Sequence, residues 1–434
     1  METSYEMRIV SHALKNCGYY PLRAMQRWLV DTHFNKTNST MMNIGALFRL
    51  SPEVDANRMA QAINDVLNTY DIFRARLVFH PETNDLCQRF DGEIIPVTVE
   101  KTSDEEFAER KKNLMEPYKL IDKPLYRIYL FETPTAKYLY GDFYHAMLDG
   151  TAAVMLFVHE IDIRYKGKKV TREPLKYSEY ILEELKVSPE ELAEGNEFWR
   201  EMLKGFDEKK HLPPSDVENA TAWNQESLIV PLKNITQKYF SNCVRKENVF
   251  FLAASMLTIA KSSGSKNSIM SWLHNGRYSA RERRLMGITI EQFPISWNFE
   301  DDITVENFLD GLERKINTGF KYRRSLGAVY DEGLEDECAT FIFQKKVLGA
   351  FNTIFLGGYP AETVALPSNE WSAAENALDI EINLTDEGYV IELDHDASRY
   401  SEESMKKFAA DFDEIILKMQ DENNFVSQIL ERVK

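Results

Sequence analysis

The residues best suited to chemistry stand together in Tyr144-His145-Ala146-Met147-Leu148-Asp149-Gly150. An imidazole with an ordinary pKa of about 6.5 can take a proton from an attacking amine or hydroxyl near neutrality. Upstream, Tyr138, Tyr140, Phe143 and Tyr144 favour a buried strand. Downstream, Gly150 opens an apolar helical run through Ala152, Val154, Met155, Leu156 and Val158. His145 therefore leaves a strand end just ahead of a helix N-terminus, where N–H groups favour developing negative charge. Those are the parts of acyl transfer. A single His beside an aromatic strand is also commonly a hydrogen-bonded core residue, and an Asp in such a turn commonly serves as a local acceptor. The residues alone leave both readings open.

Delivering His145 to that position requires a scaffold, and the chain supplies one. A helix is expected from Pro21 through Leu29 and a β-like stretch at 41–50. A second helix is expected with Ser51 as N-cap and Pro52 at its first position, carrying Val54, Met59, Ile63, Val66, Leu67 and Tyr70 as a core stripe. Strands are expected at 73–79 and 94–99, a capping box at Ser103-Asp104-Glu105-Glu106, and two strands at 126–131 and 136–147 around the Thr133-Pro134-Thr135 turn. Gly167 closes the helix that follows. This gives a first α+β lobe at residues 1–180, a charged, Pro-containing crossover at 181–215 with a short helical segment around Phe198, Trp199 and Leu203, and a second lobe at 216–434. The second lobe is expected to hold helices at 247–261 and 305–320 and a strand at 268–274. A strand at 288–297, interrupted at Pro294, and strands at 351–356, 377–384 and 389–393 follow, with a long terminal helix capped by Ser401.

Composition narrows the function classes. A chain of 434 residues with 44% hydrophobic content can bury more than one core. Its formal net charge of −17 argues against nucleic-acid binding, which needs clustered cations in excess. The basic runs at 166–169 and 281–284 read as solvated surface. Cys17, Cys87, Cys243 and Cys338 show no metal-ligand or CxxC spacing and are expected as reduced thiols. There is no metal-ligand cluster, P-loop or dinucleotide fingerprint, so neither metal nor nucleotide is expected. The N-terminal residues lack a signal-peptide pattern, and the apolar run at 249–260 is too short to span a bilayer. A cytoplasmic, monomeric protein is the expectation.

The order of these signals resembles that of nonribosomal peptide synthetase condensation domains, within the chloramphenicol-acetyltransferase-like acyltransferases. Tyr20-Pro21-Leu22 through Gln26-Arg27 is similar to the family's opening motif, and Tyr70 through Phe73-Arg74-Ala75-Arg76 to its Leu-Arg-containing segment. His145, Asp149 and Gly150 match the second His, the Asp and the Gly of its HHxxxDG motif. Gly276-Arg277 and the stretch from Met286-Gly287 to Pro294-Ile295 resemble signals of its second half. Departures are Tyr144 in place of the first His, Glu291-Gln292 where Asn-Thr is common, and Ser296 where Arg is usual. The later His-containing signature is not recognisable at 322–330, and no Asp-Phe-Gly-Trp-Gly motif is present.

The resemblance implies an α+β fold of two chloramphenicol-acetyltransferase-like lobes, each a mostly antiparallel sheet with helices, in a V around a central tunnel. It implies His145 as base or positioning group and Gly150 as a backbone contributor near the oxyanion. Asp149 would be structural, in a lobe-bridging pair with an arginine such as Arg277, and Tyr144 supportive. No intrinsic cofactor is implied. The substrates would be a phosphopantetheine-linked or CoA-linked acyl thioester and an amine, and the partners acyl or peptidyl carrier protein domains, without nucleic acid or membrane. Such a condensation reaction forms an amide in nonribosomal peptide or lipopeptide biosynthesis. The alternatives are a free-standing acyl-CoA-dependent alcohol or amine acyltransferase and a non-catalytic carrier-docking domain. The chain is expected to be either free-standing or one domain of a synthetase.

Overall fold

The computed structural model describes residues 18–35, 39–168, 173–203, 211–217, 225–241, 245–326, 338–344, 353–367 and 376–431. In chain order, α1 (Ala24–Asn35) and β1 (Asn43–Leu50) come first. Helix α2 (Ala56–Thr69) buries Met59, Ile63, Val66 and Leu67, the expected stripe. Its start differs from expectation. Asp55, not Ser51, is the N-cap, its carboxylate accepting the Arg58 N–H at 2.9 Å, while Ser51 and Val54 close a separate turn before it.

The expected strand at 73–79 is divided into a 3₁₀ turn at Asp71–Arg74, which buries Ile72 and Phe73, and β2 (Arg76–Phe79), which pairs with β3 (Leu86–Arg89). The expected strand at 94–99 contracts to β4 (Val99–Lys101). Pro96 has no N–H for a ladder, and both backbone groups of Val97 bond to the Asn64 side chain at 2.8 Å instead. Helix α3 (Asp104–Lys111) carries the full Ser103–Glu106 capping box. Then come β5 (Tyr126–Glu132), β6 (Lys137–Tyr144), a π-helical segment at Thr151–Leu156, α4 (Phe157–Tyr165) and α5 (Tyr177–Glu184).

Residues expected as a crossover with a short helical piece form a full helix, α6 (Pro189–Leu203), because Trp199 and Met202 bury on one side of it. Strand β7 (Gln225–Pro231), the short α7 (Gln237–Ser241) and α8 (Glu247–Ser263) follow. Next are β8 (Asn267–His274), β9 (Glu291–Asn298), α9 (Val305–Lys321), β10 (Ala339–Gln344), β11 (Ile354–Leu356) and β12 (Tyr359–Val364). The chain ends with β13 (Leu378–Thr385), β14 (Gly388–Asp396), α10 (Glu402–Met419) and α11 (Val426–Leu430). Pro294 does not interrupt β9. That strand lies at the sheet edge and pairs only with β8, so a missing N–H is tolerated there. Of the strand expected at 351–356, residues 351–352 fall outside the described residues.

The strands assemble into two six-stranded sheets, in the orders β11-β12-β1-β6-β5-β4 and β7-β14-β13-β10-β8-β9, plus the β2-β3 pair. Pairing is mostly antiparallel. The exceptions are β4 beside β5, and β10, which runs parallel to both β8 and β13. Two compact units result, each drawn from three segments: 1–186, 275–290 and 348–372 form one, and 187–274, 291–347 and 373–434 the other. The sequence reading had contiguous lobes. Here β11 and β12 join the first sheet through β12 pairing with β1, Leu47 opposite Val364, although they were assigned to the second lobe. In the second unit, one face of the sheet packs on α8, α9 and α10, burying Phe250, Leu257, Leu312, Ile380, Ile382, Ile391, Phe412 and Ile416. Cys87 is a buried free thiol, Cys338 is buried, and Cys17 and Cys243 lie outside the described residues.

Candidate active site

Strand β6 is held between β1 and β5 up to its last residues, with Asn43 opposite Tyr144 and Tyr126 opposite Phe143. The aromatic run makes it a buried strand, and the Tyr144 C=O then accepts the Met147 N–H at 2.8 Å to close a turn. His145 sits at the first position of that turn. Its N–H donates to the Met42 C=O at 2.8 Å, and the residue is half-buried. Its Nδ1 is buried and meets no hydrogen-bond partner. The turn itself is secured by Gln26, whose Nε2 donates to the Ala146 C=O at 2.8 Å and whose amide also bonds Gln88.

Asp149 is fully buried, and every oxygen of its carboxylate is engaged. Oδ1 accepts the Ala152 N–H at 2.8 Å and Arg277 Nη2 at 3.0 Å. Oδ2 accepts Arg277 Nη1 at 2.8 Å, the Thr289 N–H at 2.8 Å and the Thr289 hydroxyl at 3.2 Å. Two charge-assisted bonds in a fork, with neutral donors for the remaining lone pairs, are what a buried carboxylate requires. A carboxylate so occupied holds the turn to the 275–290 segment. The chain brings Asp149 and Arg277 together as a pair. The pair does not bridge lobes, because residues 275–290 leave the second sheet between β8 and β9 and belong to the first unit.

Gly276 explains how that excursion closes. It adopts φ +64°, and a Cβ placed on it would lie 1.7 Å from the Thr289 carbonyl oxygen. Only glycine lets the two arms approach, so that the Thr289 hydroxyl reaches the Asn275 C=O at 2.7 Å and Arg277 also donates to the Gly287 C=O at 3.0 Å. Gly150 presents a different case. Its φ of −55° suits any residue, it is exposed, and a Cβ there would meet nothing within 4 Å. What the glycine provides is open space beside the backbone, at the start of the π-helical segment where Asp149 already takes the N–H groups of Ala152 and Ala153.

Tyr144, the last residue of β6, is fully buried. Its hydroxyl donates to the Leu29 C=O at 3.1 Å, and its ring meets His33 edge-on at 5.5 Å. Burial, with the Asp31 charge adding to it, holds its phenol well above the usual range, so it stays neutral. It ties α1 to the end of β6, next to His145.

Thr289 and Gln26 contribute to the site and were not singled out as site residues. Gln26 sits in the opening motif, but nothing in its spacing points to Ala146. Thr289 lies within the stretch that resembled the second half of the family, yet its bond to Asp149 spans 140 residues of sequence. Among the described residues, no group of His, Cys, Asp and Glu has the arrangement of a metal centre, and no helix is long and apolar enough to cross a membrane.

A model of the Condensation domain family matches residues 16–429. Tyrocidine synthase 3 of Brevibacillus parabrevis is 19% identical over 334 residues, which are 74% of this chain and 5% of the synthase. A nonribosomal peptide synthetase of Emericella nidulans is 22% identical over 416 residues, 92% of this chain and again 5% of the relative. The chain thus spans a small fraction of the length of these relatives.

Among solved structures, the starter condensation domain of rhizomide synthetase RzmA superposes with a TM-score of 0.75 at 14% identity, covering 94% of this chain and 98% of that one. The condensation domain of the monacolin K polyketide synthase MokA gives 0.75 at 17% identity, covering 94% and 99%. At such identities the likeness is one of fold, and it is the α+β fold of two six-stranded sheets described above. With a family match over nearly the whole length, this chain belongs to the condensation-domain family, whose members form amide bonds by acyl transfer.

Proposed function

We propose that this chain joins the acyl group of a thioester to an amine, with His145 as the base. The supporting observation is the half-buried imidazole beside the end of β6, whose Nδ1 is buried and unbonded, so that Nε2 is the nitrogen this reading gives to the substrate. Condensation domains act on carrier-linked or CoA-linked thioesters, and a RzmA variant has been captured with C8-CoA and Leu-SNAC. By the same logic the donor here is a phosphopantetheine-linked or CoA-linked acyl group, and the protein partners are acyl or peptidyl carrier domains of a peptide or lipopeptide synthetase.

In this reading the amine nitrogen adds to the thioester carbonyl carbon as His145 Nε2 takes its proton. The tetrahedral adduct places negative charge on the former carbonyl oxygen, and this reading assigns to it the N–H groups at Gly150 and Thr151, which the bonds made to Asp149 do not use. Collapse re-forms the carbonyl and breaks the C–S bond. The departing thiolate receives the proton from His145. Asp149, Arg277 and Thr289 fix the turn that carries both His145 and Gly150, so most of the rate comes from alignment of the two substrates.

The test is intact-mass detection of amide formation from a panel of acyl-CoA and acyl-carrier donors with amine acceptors. His145→Ala should lower turnover by about 10²-fold or more while leaving the unfolding temperature unchanged. Full activity in the variant removes the base role. Equal use of a free CoA thioester and the carrier-bound form would assign the donor to CoA.

A further inference from the structure

We propose that Tyr177 and Arg23 are positioning residues for acyl transfer, acting on the His145 turn through the single peptide group that joins Ile288 to Thr289. The proposal rests on the reading of His145 as the base and deepens it.

It begins from the two sides of that peptide group. On one side, the Thr289 N–H donates to Asp149 Oδ2 at 2.8 Å, on the carboxylate that holds the turn. On the other, the Ile288 C=O accepts the Tyr177 hydroxyl at 2.8 Å and Arg23 Nη1 at 3.1 Å. The peptide is trans and planar, with its C=O and N–H pointing in opposite directions, so fixing the carbonyl fixes the line along which the N–H meets Asp149. Donors on the carbonyl also polarise the N–H beyond it, as in any chain of hydrogen bonds. Two side chains far away in sequence thus act on Asp149 without a hydrogen bond to it.

Both donors are themselves held in place. Tyr177 is fully buried, and burial keeps its phenol well above the usual range, so its proton stays available to donate. Its ring fills the space that a side chain at Gly287 would need, since a Cβ there would lie 2.2 Å from Tyr177 Cδ2. The Arg23 guanidinium sits over the Tyr180 ring at 5.2 Å and 3.9 Å from the Glu184 carboxylate. Tyr177, Tyr180 and Glu184 recur at helical spacing on α5, so one helix supplies the hydroxyl and orients the guanidinium.

The start of α5 is fixed in turn by Asp71. Its carboxylate accepts the Tyr177 N–H at 2.8 Å, the Ser178 N–H at 3.1 Å and the Ser178 hydroxyl at 2.7 Å. Arg23 and Asp71 lie in the segments 20–27 and 70–76, whose likeness to family motifs came without a role for either residue. The network has a direction. It runs from these two segments through α5 to the 275–290 segment and ends on Asp149, all within the first unit.

The experiment uses the amide-formation assay on the whole chain with Tyr177→Phe, Arg23→Gln and the double variant. Because the two donors share one acceptor, each single change leaves the other donor in place. Each should lower kcat about threefold, and the double variant about 30-fold or more, beyond the product of the singles. KM for donor and acceptor should stay within about twofold, because a residue that acts through Asp149 makes no contact with substrate. A second arm follows hydrogen exchange by NMR in chain labelled with ¹⁵N-threonine. The Thr289 N–H should exchange about tenfold faster in Tyr177→Phe when referred to Thr258 of α8, in the second unit. That arm needs only the loss of one hydroxyl, so it decides the matter even if the double variant does not fold. With a parent that is active and impaired by His145→Ala, three results would each overturn the proposal and leave the base reading standing: a double variant no worse than the product of the singles, losses confined to KM, or unchanged Thr289 exchange. Full activity of His145→Ala would instead overturn the base reading, and the catalytic role of Tyr177 and Arg23 with it.

Discussion

Two sets of carboxylates in this molecule meet burial in opposite ways. Asp149, in the first unit, is fully buried and receives the Arg277 fork together with the N–H groups of Ala152 and Thr289. Glu381 and Glu392, in the second, are partly buried against each other and receive only amide and hydroxyl donors. The first arrangement has its charge settled within the protein and carries nothing further. Among the described residues, no Lys, Arg or His forms an ion pair with either glutamate of the second. A carboxylate that anchors a turn and one held by neutral donors alone are thus told apart by what compensates them, and not by burial alone.

Removing the compensation from the first set should have the largest effect. Arg277→Ala leaves Asp149 buried and without its cation, a loss expected to cost about 3–5 kcal/mol of stability. Urea unfolding of the variant beside the parent measures it. A change within about 0.5 kcal/mol, as for a typical surface substitution, would mean that the pair does not anchor the turn. Adding Asp149→Asn to Arg277→Ala should recover part of the loss, because the orphaned charge is gone, and the shortfall from additivity gives the coupling between the two residues.

The comparison also marks where sequence reading reaches its limit. Local signals were legible. The aromatic run ending at Tyr144, the Ser103–Glu106 capping box, the stripe of α2 and the α8, α9 and α10 helices are each set by residues within a few turns of one another, and they stand where expected. The Leu-Arg and Gly-Arg segments and the order of signals carried the family. Long-range insertions were not legible. The strand expected at 351–356 was placed in the second lobe and β12 was not expected as a strand, and only the pairing of β12 with β1 assigns both to the first sheet. The Arg277 segment looked like a bridge between lobes for the same reason, since no pattern in its own residues records that it returns to Asp149. Thr289 was hidden because the N–H it gives Asp149 is a backbone group that any residue could provide. The opposed glutamates escaped because alternation shows which face a residue takes, while the partner across the strand depends on register, which is set by the turn at 385–388.

The second set gives a pH signature of opposite sense to an ordinary salt bridge. Glu381 has its pKa raised from an ordinary 4.5 to about 7, chiefly by burial. The folded state therefore holds its proton more tightly than the unfolded chain. The stability this contributes is fully present below about pH 4.5 and is lost as pH rises through 7. Glu381→Gln removes the titration. The variant should match the parent near the acid end of that window and exceed it by about 1 kcal/mol above the upper end, the figure being kept small because the side chain is partly solvated. Urea unfolding of both proteins across the window reads the difference. Parallel stabilities at all pH values would show that the glutamate pair is already compensated.

The smallest effect expected tests a neutral group beside the charged ones. Tyr144 stands where the family more often has histidine, and its hydroxyl makes a single neutral hydrogen bond to the Leu29 C=O at 3.1 Å. Tyr144→Phe keeps the ring against His33 and Tyr118 and removes only that bond, so the loss should be about 1 kcal/mol. The bond left open is a carbonyl inside α1, which still serves as acceptor within its helix. Amide formation by the variant should stay within about threefold of the parent, since the phenol is kept neutral by burial and its hydroxyl is bonded to the Leu29 C=O. A loss of activity near that of His145→Ala, with stability little changed, would instead place the Tyr144 hydroxyl among the groups that handle the reacting proton, and the contrast between a settled first unit and an unsettled second would fail at its catalytic end.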